Sequence, residues 1–343
     1  MPNQLEKEIE VSPSSSILRW LNRMLISFSL LLLVFIGACY YQQFDWSAAV
    51  TVYPSWVWAF LGIALLFIPF YKQRKPVSFL ILCLWLCYFV LFADTPFALV
   101  RAVSNHHWYE TSFTPQQGKG IRVISLNCSS NTKPVLTLKK YNADIILVQE
   151  SFGAKRLEFV TQQLYGEEGS FVAGIDASII VRGKIVLLKK ESNFVVAKAK
   201  LKNGVEVGII SLRLTTPPMR SDLWNSDCWE VYKTNRIKQR QELQEVIQEL
   251  KTFSASMPII IGGDFNAPPR SGVFQAFPVG YQDAFRIVGS GWGNSITNDF
   301  PFLRIDQLWG NQFLKPLHVS SVVTTETDHR LVMGDFLLVR ENQ

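Results

Sequence analysis

The chain has 343 residues, 48% of them hydrophobic, with a formal net charge of +6 and a mean hydropathy of +0.14. That is too apolar for an average soluble protein and excludes a disordered chain, while the length exceeds anything that needs disulfides or a structural metal as staples. The apolar excess lies almost wholly before residue 96; from Lys119 onward 27 Lys and Arg face 22 Asp and Glu, a net charge of about +5 that suits an ordinary soluble domain. There is no internal repeat, and the one low-complexity patch is SPSSS at 12–16.

Three apolar segments fill the first part: Met24 to Tyr41, Val50 to Tyr71 and Val77 to Asp94. Each approaches the roughly 20 helical residues that a ~30 Å hydrocarbon layer takes, and none carries the periodic polar face of a soluble bundle. The pattern predicts three spanning helices within 24–95, after a cytoplasmic segment 1–23. Arg19 and Arg23 precede the first span and Lys72, Arg74 and Lys75 lie between the second and third, whereas the loop QQFDWS has neither Lys nor Arg. The positive-inside rule then keeps the amino terminus and second loop in the cytoplasm and puts everything after Asp94 outside the cytoplasmic membrane. Trp46, Trp56, Trp58 and Tyr71 stand near span ends, where interfacial anchors belong. IGAC, ending at Cys39, resembles a lipoprotein cleavage box; Tyr40, Tyr41 and two further apolar segments speak against it, and either route exports the carboxyl-terminal domain. Cys39, Cys83 and Cys87 fall in spans, while Cys128 and Cys228 fall in the exported part, where a disulfide is open to them although nothing in the sequence brings them together.

Residues 96–118 read as a juxtamembrane linker, and His106 and His107 in it as a surface pair rather than a metal site, for want of further ligands. From 119 to 340 strand signals come quickly: IRVISLNC, ADIILVQE, DASIIVRG, KIVLLK, and a hairpin turning at Asn203-Gly204. YKTNRIKQRQELQEVIQELKTF is amphipathic at helical spacing, with Ile237, Leu243, Val246, Ile247 and Leu250 on one face. After it come PIIIGGDF, RIDQLWG, LHVSSVVTT and RLVMGDFLLV. Many strands with few interspersed helices predict an α/β sandwich.

One pattern repeats in this domain: an apolar strand with an acid, an amide or a base at its end. Asn127 closes VISLN, Glu150 closes IILVQE and Arg213 lies near the end of VGIISLRL. Asp264 and Asn266 end IIIGGDFN, Asp306 sits in RIDQL, and Asp328-His329 precede the last strand. Any one of these reads equally as a cap or a turn. Together they supply what metal-assisted phosphoester hydrolysis needs: oxygen ligands for a hard cation, an amide for a phosphate oxygen, and an Asp–His pair for protons and charge.

The order N, QE, GDFN, RID, TDH resembles the endonuclease/exonuclease/phosphatase superfamily over about 119–340. The resemblance implies a four-layer α/β sandwich of the deoxyribonuclease I type, with the site at one end, and a magnesium or manganese ion. Residue by residue it implies Glu150 as metal ligand with Asn127 beside it, and Asp328 as a further metal contact. It implies Asp264 as the group that orients or deprotonates water, and Asn266 as a hydrogen-bond donor to a phosphate oxygen. Asp306 would orient His329, which would stabilise the phosphorane-like transition state.

Where many members of that family carry a His, this chain has Arg213, which cannot act as a base but can grip a phosphate through two N–H groups. Arg236 and Arg240, one helical turn apart, are candidates for the same phosphate, or for a solvated helix face. Three amino-terminal apolar segments before such a domain are similar to a bacterial membrane branch associated with teicoplanin resistance and implicated in dephosphorylating undecaprenyl pyrophosphate. The exported position points to a lipid-linked phosphate and a lipid bilayer as partners, and no protein partner is implied. A membrane-tethered nuclease is the alternative within the family, though no basic run interleaved with aromatics marks a nucleic-acid surface. A non-catalytic membrane protein that holds phosphate through Arg213 is the alternative outside it.

Overall fold

The computed structural model describes residues 13–67, 75–104 and 120–339; Lys72, Arg74, His106 and His107 lie outside them. The chain divides into two compact units, Met1–Gln42 with Ser55–Ala93, and Gln43–Pro54 with Asp94–Gln343. The boundary read from the sequence at 95 therefore shifts, because residues 43–54 of the apolar part and the chain from Asp94 onward fold together in the second unit, while the boundary at 118 lies outside the described residues.

In the first unit, helix α1 (Pro13–Gln42) contains the stretch Ser16–Gln42, which is long and apolar enough to cross a membrane. The other two expected spans are not straight. The second is broken between α2 (Ala48–Thr51) and α3 (Ser55–Ala64), with a 68° bend, at Pro54, which lacks an N–H and disfavours helix in the residue before it. The third bends by 77° between α4 (Lys75–Phe92) and α5 (Thr95–Ser104), at Asp94. Among the described residues one helix, or up to three if each bent pair is one span, thus meets the length and composition of a crossing, in place of three straight ones. The three helices of this unit meet through a small residue: a Cβ on Gly62 would stand 2.0 Å from the Trp85 ring, whose Nε1 donates to Ser29 Oγ at 3.0 Å, and Ser29 Oγ donates to the Gly62 carbonyl at 2.9 Å.

Among the described residues the second unit has eleven strands: β1 (Gly120–Asn127), β2 (Ile145–Gln149), β3 (Gly169–Val172), β4 (Ala177–Lys190), β5 (Phe194–Leu201), β6 (Glu206–Arg213), β7 (Ile259–Asp264), β8 (Gln282–Asp283), β9 (Asp306–Gly310), β10 (Leu314–Val322) and β11 (Leu331–Leu338). They run in the order β10-β11-β1-β2-β4-β5-β6-β7-β9-β8, with β3 on β4. The two expected strands DASIIVRG and KIVLLK are one, β4, whose first half pairs with β2 and whose second half pairs with β5. The fold-over falls at Gly183, with φ 149 and no room for a Cβ, which would lie 2.3 Å from the Lys200 carbonyl oxygen.

The sheet therefore closes on itself as two faces, and the alternation of each strand sorts its side chains into three apolar layers. Ile121, Val123, Ile145, Leu147, Ile209, Ile260 and Leu308 fill the space between the faces. Ile124, Leu126, Ile146 and Val148 point the other way, onto helix α6 (Ala154–Tyr165) through Leu157 and Val160. Ile210, Leu212, Ile259 and Ile261 meet helix α7 (Ser226–Gln248) through Leu243 and Val246. Helix, sheet, sheet, helix is the expected layering. Helix α7 starts six residues before the amphipathic stretch suggested, where Asn225 Oδ1 accepts from Asp227 N at 2.9 Å as an N-cap.

The captured segments are held by arginines. Arg236, 4% exposed, donates to the carbonyls of Gln43 and Phe44 and to Thr51 Oγ1, while Arg240 pairs with Asp45 and donates to the Gly272 carbonyl at 3.1 Å. The expectation that these two face a phosphate is thereby corrected: their guanidinium groups are spent on segment 43–54. On the other side Arg304 bridges Asp283 at 2.6 Å and Asp94 at 2.9 Å, all buried, and Arg270 adds a contact to Asp94 at 3.3 Å. Removing one partner of a buried ion network leaves charges unpaired at a cost of ~3–5 kcal/mol, whereas an exposed pair is worth ~1 kcal/mol or less. Denaturant unfolding of the full chain should therefore show Arg304→Ala losing several-fold more stability than Arg182→Ala, whose partner Glu168 is exposed.

Candidate active site

Register places the site. β1 and β2 are parallel with Asn127 opposite Gln149, and β6 and β7 are parallel with Arg213 opposite Asp264. β9 runs antiparallel to β7 with Asp306 opposite Asp264. Carboxyl ends of parallel strands and amino ends of their antiparallel neighbours thus meet at one edge, and β4 and β11, antiparallel to β2 and β1, bring Asp176 and His329 to it just before their first residues. In the space between the faces the apolar layer gives way to a buried polar belt, Ser125 Oγ to Gln149 Oε1 and Gln149 Nε2 to Ser211 Oγ, both at 3.2 Å, and above the belt stand the site residues.

The motif GGDFN is explained by crowding at this edge. A Cβ on Gly263 would lie 1.9 Å from the Leu212 carbonyl oxygen, and its φ of 148 belongs to glycine. Glu150 and Asn266 both take left-handed backbone, φ 46 and 50, which costs each about 1 kcal/mol or more and aims their side chains off the strand direction. Asp264 Oδ1 accepts from Asn266 N at 3.0 Å, and the Asn266 amide donates to the Leu214 carbonyl at 2.8 Å and to Asp264 Oδ2 at 3.3 Å. Asn266 is 4% exposed, so here its amide positions Asp264 rather than facing outward to a phosphate.

Asp264, Asp306 and His329 form a buried cluster whose candidate ligand atoms all lie within 4.8 Å of one another. His329 Nδ1 meets Asp306 Oδ2 at 2.8 Å, as the resemblance implied for an oriented imidazole. Asn127 ties two walls together: its Nδ2 donates to Glu150 Oε1 and Asp264 Oδ2, both at 3.1 Å, while its oxygen accepts from Ser129 N at 3.1 Å. Arg213 is a bridge, with Nη2 2.8 Å from Glu150 Oε1, Nη1 3.0 Å from Asp176 Oδ2 and Nε 3.7 Å from Asp264 Oδ2. Asp328 is exposed at the rim and accepts from Ser129 Oγ at 3.1 Å, apart from the buried cluster.

Sequence reasoning missed Asp176, Ser211 and Ser129, and gave no role to Gln149 of QE or to Thr327 of TDH, whose hydroxyl lies 3.1 Å from that of Ser129. Asp176 stood immediately before a strand, the position that marked the other acids from the opposite strand end. Gln239, also missed, donates to the carbonyls of Thr215 and Asn266 and so secures the loop under Asp264. Beside the site opens a cavity of about 550 Å³ with Asp176, Arg213, Thr215, Lys238, Gln241 and Glu245 in its walls. A second hollow, lined by Thr216, Pro218, Val231 and Thr234, shares Lys238 with it. Cys128 and Cys228 are free and buried.

Charge is out of balance in the cluster. Glu150, Asp176, Asp264 and Asp306 crowd around two cations, Arg213 and His329. Burial, then the charge of Asp306, pushes the Asp264 carboxyl up to about 7. Burial works against the imidazolium of His329, but Asp306, with Asp264 and Asp328, outweighs it and holds its pKa up at about 9. Asp306 Oδ1 is buried with no hydrogen-bond partner among the described residues. An oxygen-rich donor set with an unsatisfied buried carboxylate oxygen fits a hard divalent cation, and Glu150 and Asp306 are the residues that would hold it. Asn127, whose oxygen is taken by Ser129, would serve through its amide instead.

These two groups contribute to the pH dependence of the metal-free protein with the same sign. Folded Asp264 keeps a proton that the unfolded chain releases near 3.8, so stability falls as pH climbs from about 4 to about 7. The contribution of charged His329 is whole below the ordinary value of 6.5 and is lost as pH rises toward about 9. In chelator, the thermal midpoint should decline across both ranges. Asp264→Asn should flatten the lower limb and His329→Gln the upper one.

The fold has counterparts among known proteins. The model of the Endonuclease/Exonuclease/phosphatase family matches residues 124–329. Among solved structures, beta toxin of Staphylococcus aureus is 13% identical over 62% of this chain and 99% of its own, with a TM-score of 0.50, which supports the fold. A family protein of Bacteroides thetaiotaomicron is 15% identical (64% and 98% covered, TM-score 0.48), and a mannosyl-6-phosphatase of the same organism 14% identical (64% and 100%, TM-score 0.47). No curated protein matches the chain. With the family model spanning more than half of the chain, from the middle of β1 to His329, the protein belongs to the endonuclease/exonuclease/phosphatase family.

Proposed function

We propose that this protein is a membrane-anchored, magnesium- or manganese-dependent hydrolase of a phosphoester or pyrophosphate, working outside the cytoplasmic membrane on a lipid-linked phosphate. The observation that carries the hydrolase reading is the row Arg213–Asp264–Asp306 across three neighbouring strands with His329 on Asp306. A carboxylate held within reach of the substrate can take a proton from water. Asp264, aimed by Asn266 and Asn127, takes that proton as the water oxygen bonds to phosphorus and the bond to the leaving oxygen breaks. His329, kept charged and oriented by Asp306, faces the negative charge that grows on the phosphoryl oxygens. A bound divalent cation supplies neutralisation of substrate charge and polarisation of a phosphoryl oxygen.

The anchoring reading is supported by the apolar stretch Ser16–Gln42 and by the capture of segment 43–54 in the same compact unit as the domain. Segment 43–54 and the domain share a side of the membrane if the apolar chain between Ser55 and Ala93 crosses twice or not at all. With the charge bias of Arg19, Arg23, Lys72, Arg74 and Lys75, the favoured arrangement is three crossings with the amino terminus inside. The lipid-linked substrate rests on the similarity of this layout to the teicoplanin-resistance branch. A second reading, a non-catalytic protein that holds phosphate, has a specific observation behind it: Glu150, the expected metal ligand, is already paired with Arg213.

Phosphate release by the detergent-purified full chain separates these readings, with a polyprenyl pyrophosphate, phospholipid and plasmid DNA offered with and without magnesium. The expected result is metal-dependent release from the polyprenyl pyrophosphate that falls by about 10³-fold in Asp264→Ala and about 10²-fold in His329→Gln. Nicked DNA without lipid turnover would indicate a tethered nuclease. No turnover by a folded protein that still binds phosphate would indicate the binding reading.

A further inference from the structure

Two of the most exposed apolar side chains of the second unit, Met219 at 99% and Trp224 at 87%, stand on one loop. The loop is firmly held from beneath. The hydroxyls of Tyr53 and Tyr232 both donate to the Arg220 carbonyl, at 3.2 and 2.8 Å, and Trp229 Nε1 donates to the Leu223 carbonyl at 2.8 Å. Leu223 packs with Val52 and Trp229 onto Ala48, Ala49 and Cys228. Trp46, 45% exposed, stacks on Trp229 with centroids 6.1 Å apart, and Phe44, 43% exposed, stacks on Trp46 at 5.7 Å. A fixed loop that presents Met and Trp outward, beside two half-exposed aromatics, is an apolar patch on a domain whose other apolar residues are mostly buried.

Connectivity and charge point to the occupant. Segment 43–54, which forms part of this surface, leaves it directly into apolar α1 at Gln42 and into apolar α3 at Ser55, two residues after Tyr53. Aromatic side chains at the ends of apolar helices are the pattern of a membrane–water interface. The one cation of the loop, Arg220, is paired with Asp222 at 2.5 Å, which argues against a nucleic-acid or acidic-protein partner and for insertion driven by apolar area. We propose that Phe44, Trp46, Met219 and Trp224 form a bilayer-docking face, with Met219 and Trp224 inserted at the level of the lipid interface. The proposal rests on the reading of α1 as membrane-embedded. The same stretch of chain begins with Arg213 and Thr215 in the wall of the site cavity, so the docking loop and that wall are continuous in the chain.

The test uses the full chain in phosphatidylcholine nanodiscs, with exposed Cys83 and Cys87 changed to Ser and one environment-sensitive fluorophore at Met219→Cys, Trp224→Cys, Leu31→Cys or Val186→Cys. Leu31, 68% exposed on α1, reports on the membrane reading, and Val186, 62% exposed on β4, is the control for an exposed apolar site away from segment 43–54. The expected result is at least a two-fold loss of fluorescence at positions 31, 219 and 224, but not at 186, when spin-labelled lipid is added, unchanged by high salt. Quenching at 31 with none at 219 and 224 overturns the docking face and leaves the membrane reading intact. Absence of quenching at 31 overturns both.

Discussion

Four carboxylates converge at one edge of the sheet sandwich with two cations to answer them, and much of the local structure follows from that imbalance. Burying a carboxylate is costly unless it is paired or hydrogen-bonded. Accordingly Asp306 is matched to His329, Asp264 to the amides of Asn127 and Asn266, and Glu150 and Asp176 to the two arms of Arg213. The left-handed backbone at Glu150 and Asn266 and the glycine that no other residue can replace at 263 are the local costs of bringing those groups together. Two features stay uncompensated, the raised carboxyl of Asp264 and the bare Oδ1 of Asp306, and a divalent cation would relieve both.

Arginine plays two roles that its position along the chain does not distinguish. Arg213 faces the acids of the site, whereas Arg236 and Arg240 serve architecture, tying segment 43–54 to helix α7, and Arg304 does the same for the chain at Asp94. The guanidinium suits both, since its five rigid N–H donors can satisfy several carbonyls or carboxylates at once. Both ends of the apolar chain from Ser55 to Ala93 issue from pieces packed into the same unit as the site.

Much of the fold and the site was legible in the sequence. Period-two alternation identified the strands, the helical stripe Leu243, Val246 and Ile247 identified the face of α7, and polar residues closing apolar strands identified Asn127, Glu150, Arg213, Asp264, Asp306 and His329, all of which meet at one edge. These signals are local: a strand reports its own burial through its own residues. Asp176 and the belt of Ser125, Gln149 and Ser211 were not legible as a group, because a serine inside a strand looks alike whether it faces a core or a neighbour's amide. The bends at Pro54 and Asp94 were missed for a related reason, since hydropathy counts apolar residues but not the direction of the helix axis.

The sequence by itself determined the alternation of helix and strand, the family pattern of site residues and the separation of an apolar part from a soluble one, because each depends on neighbours within a few positions. Only the tertiary structure decided which arginines face the site and which hold the chain, that Asn127 and Asn266 brace carboxylates, and that residues 43–54 and 94–104 belong to the unit that carries the site. Those outcomes depend on contacts between residues far apart in the chain, such as Asp94 with Arg304, 210 positions away. Register and packing, and no local preference, bring such pairs within hydrogen-bonding reach.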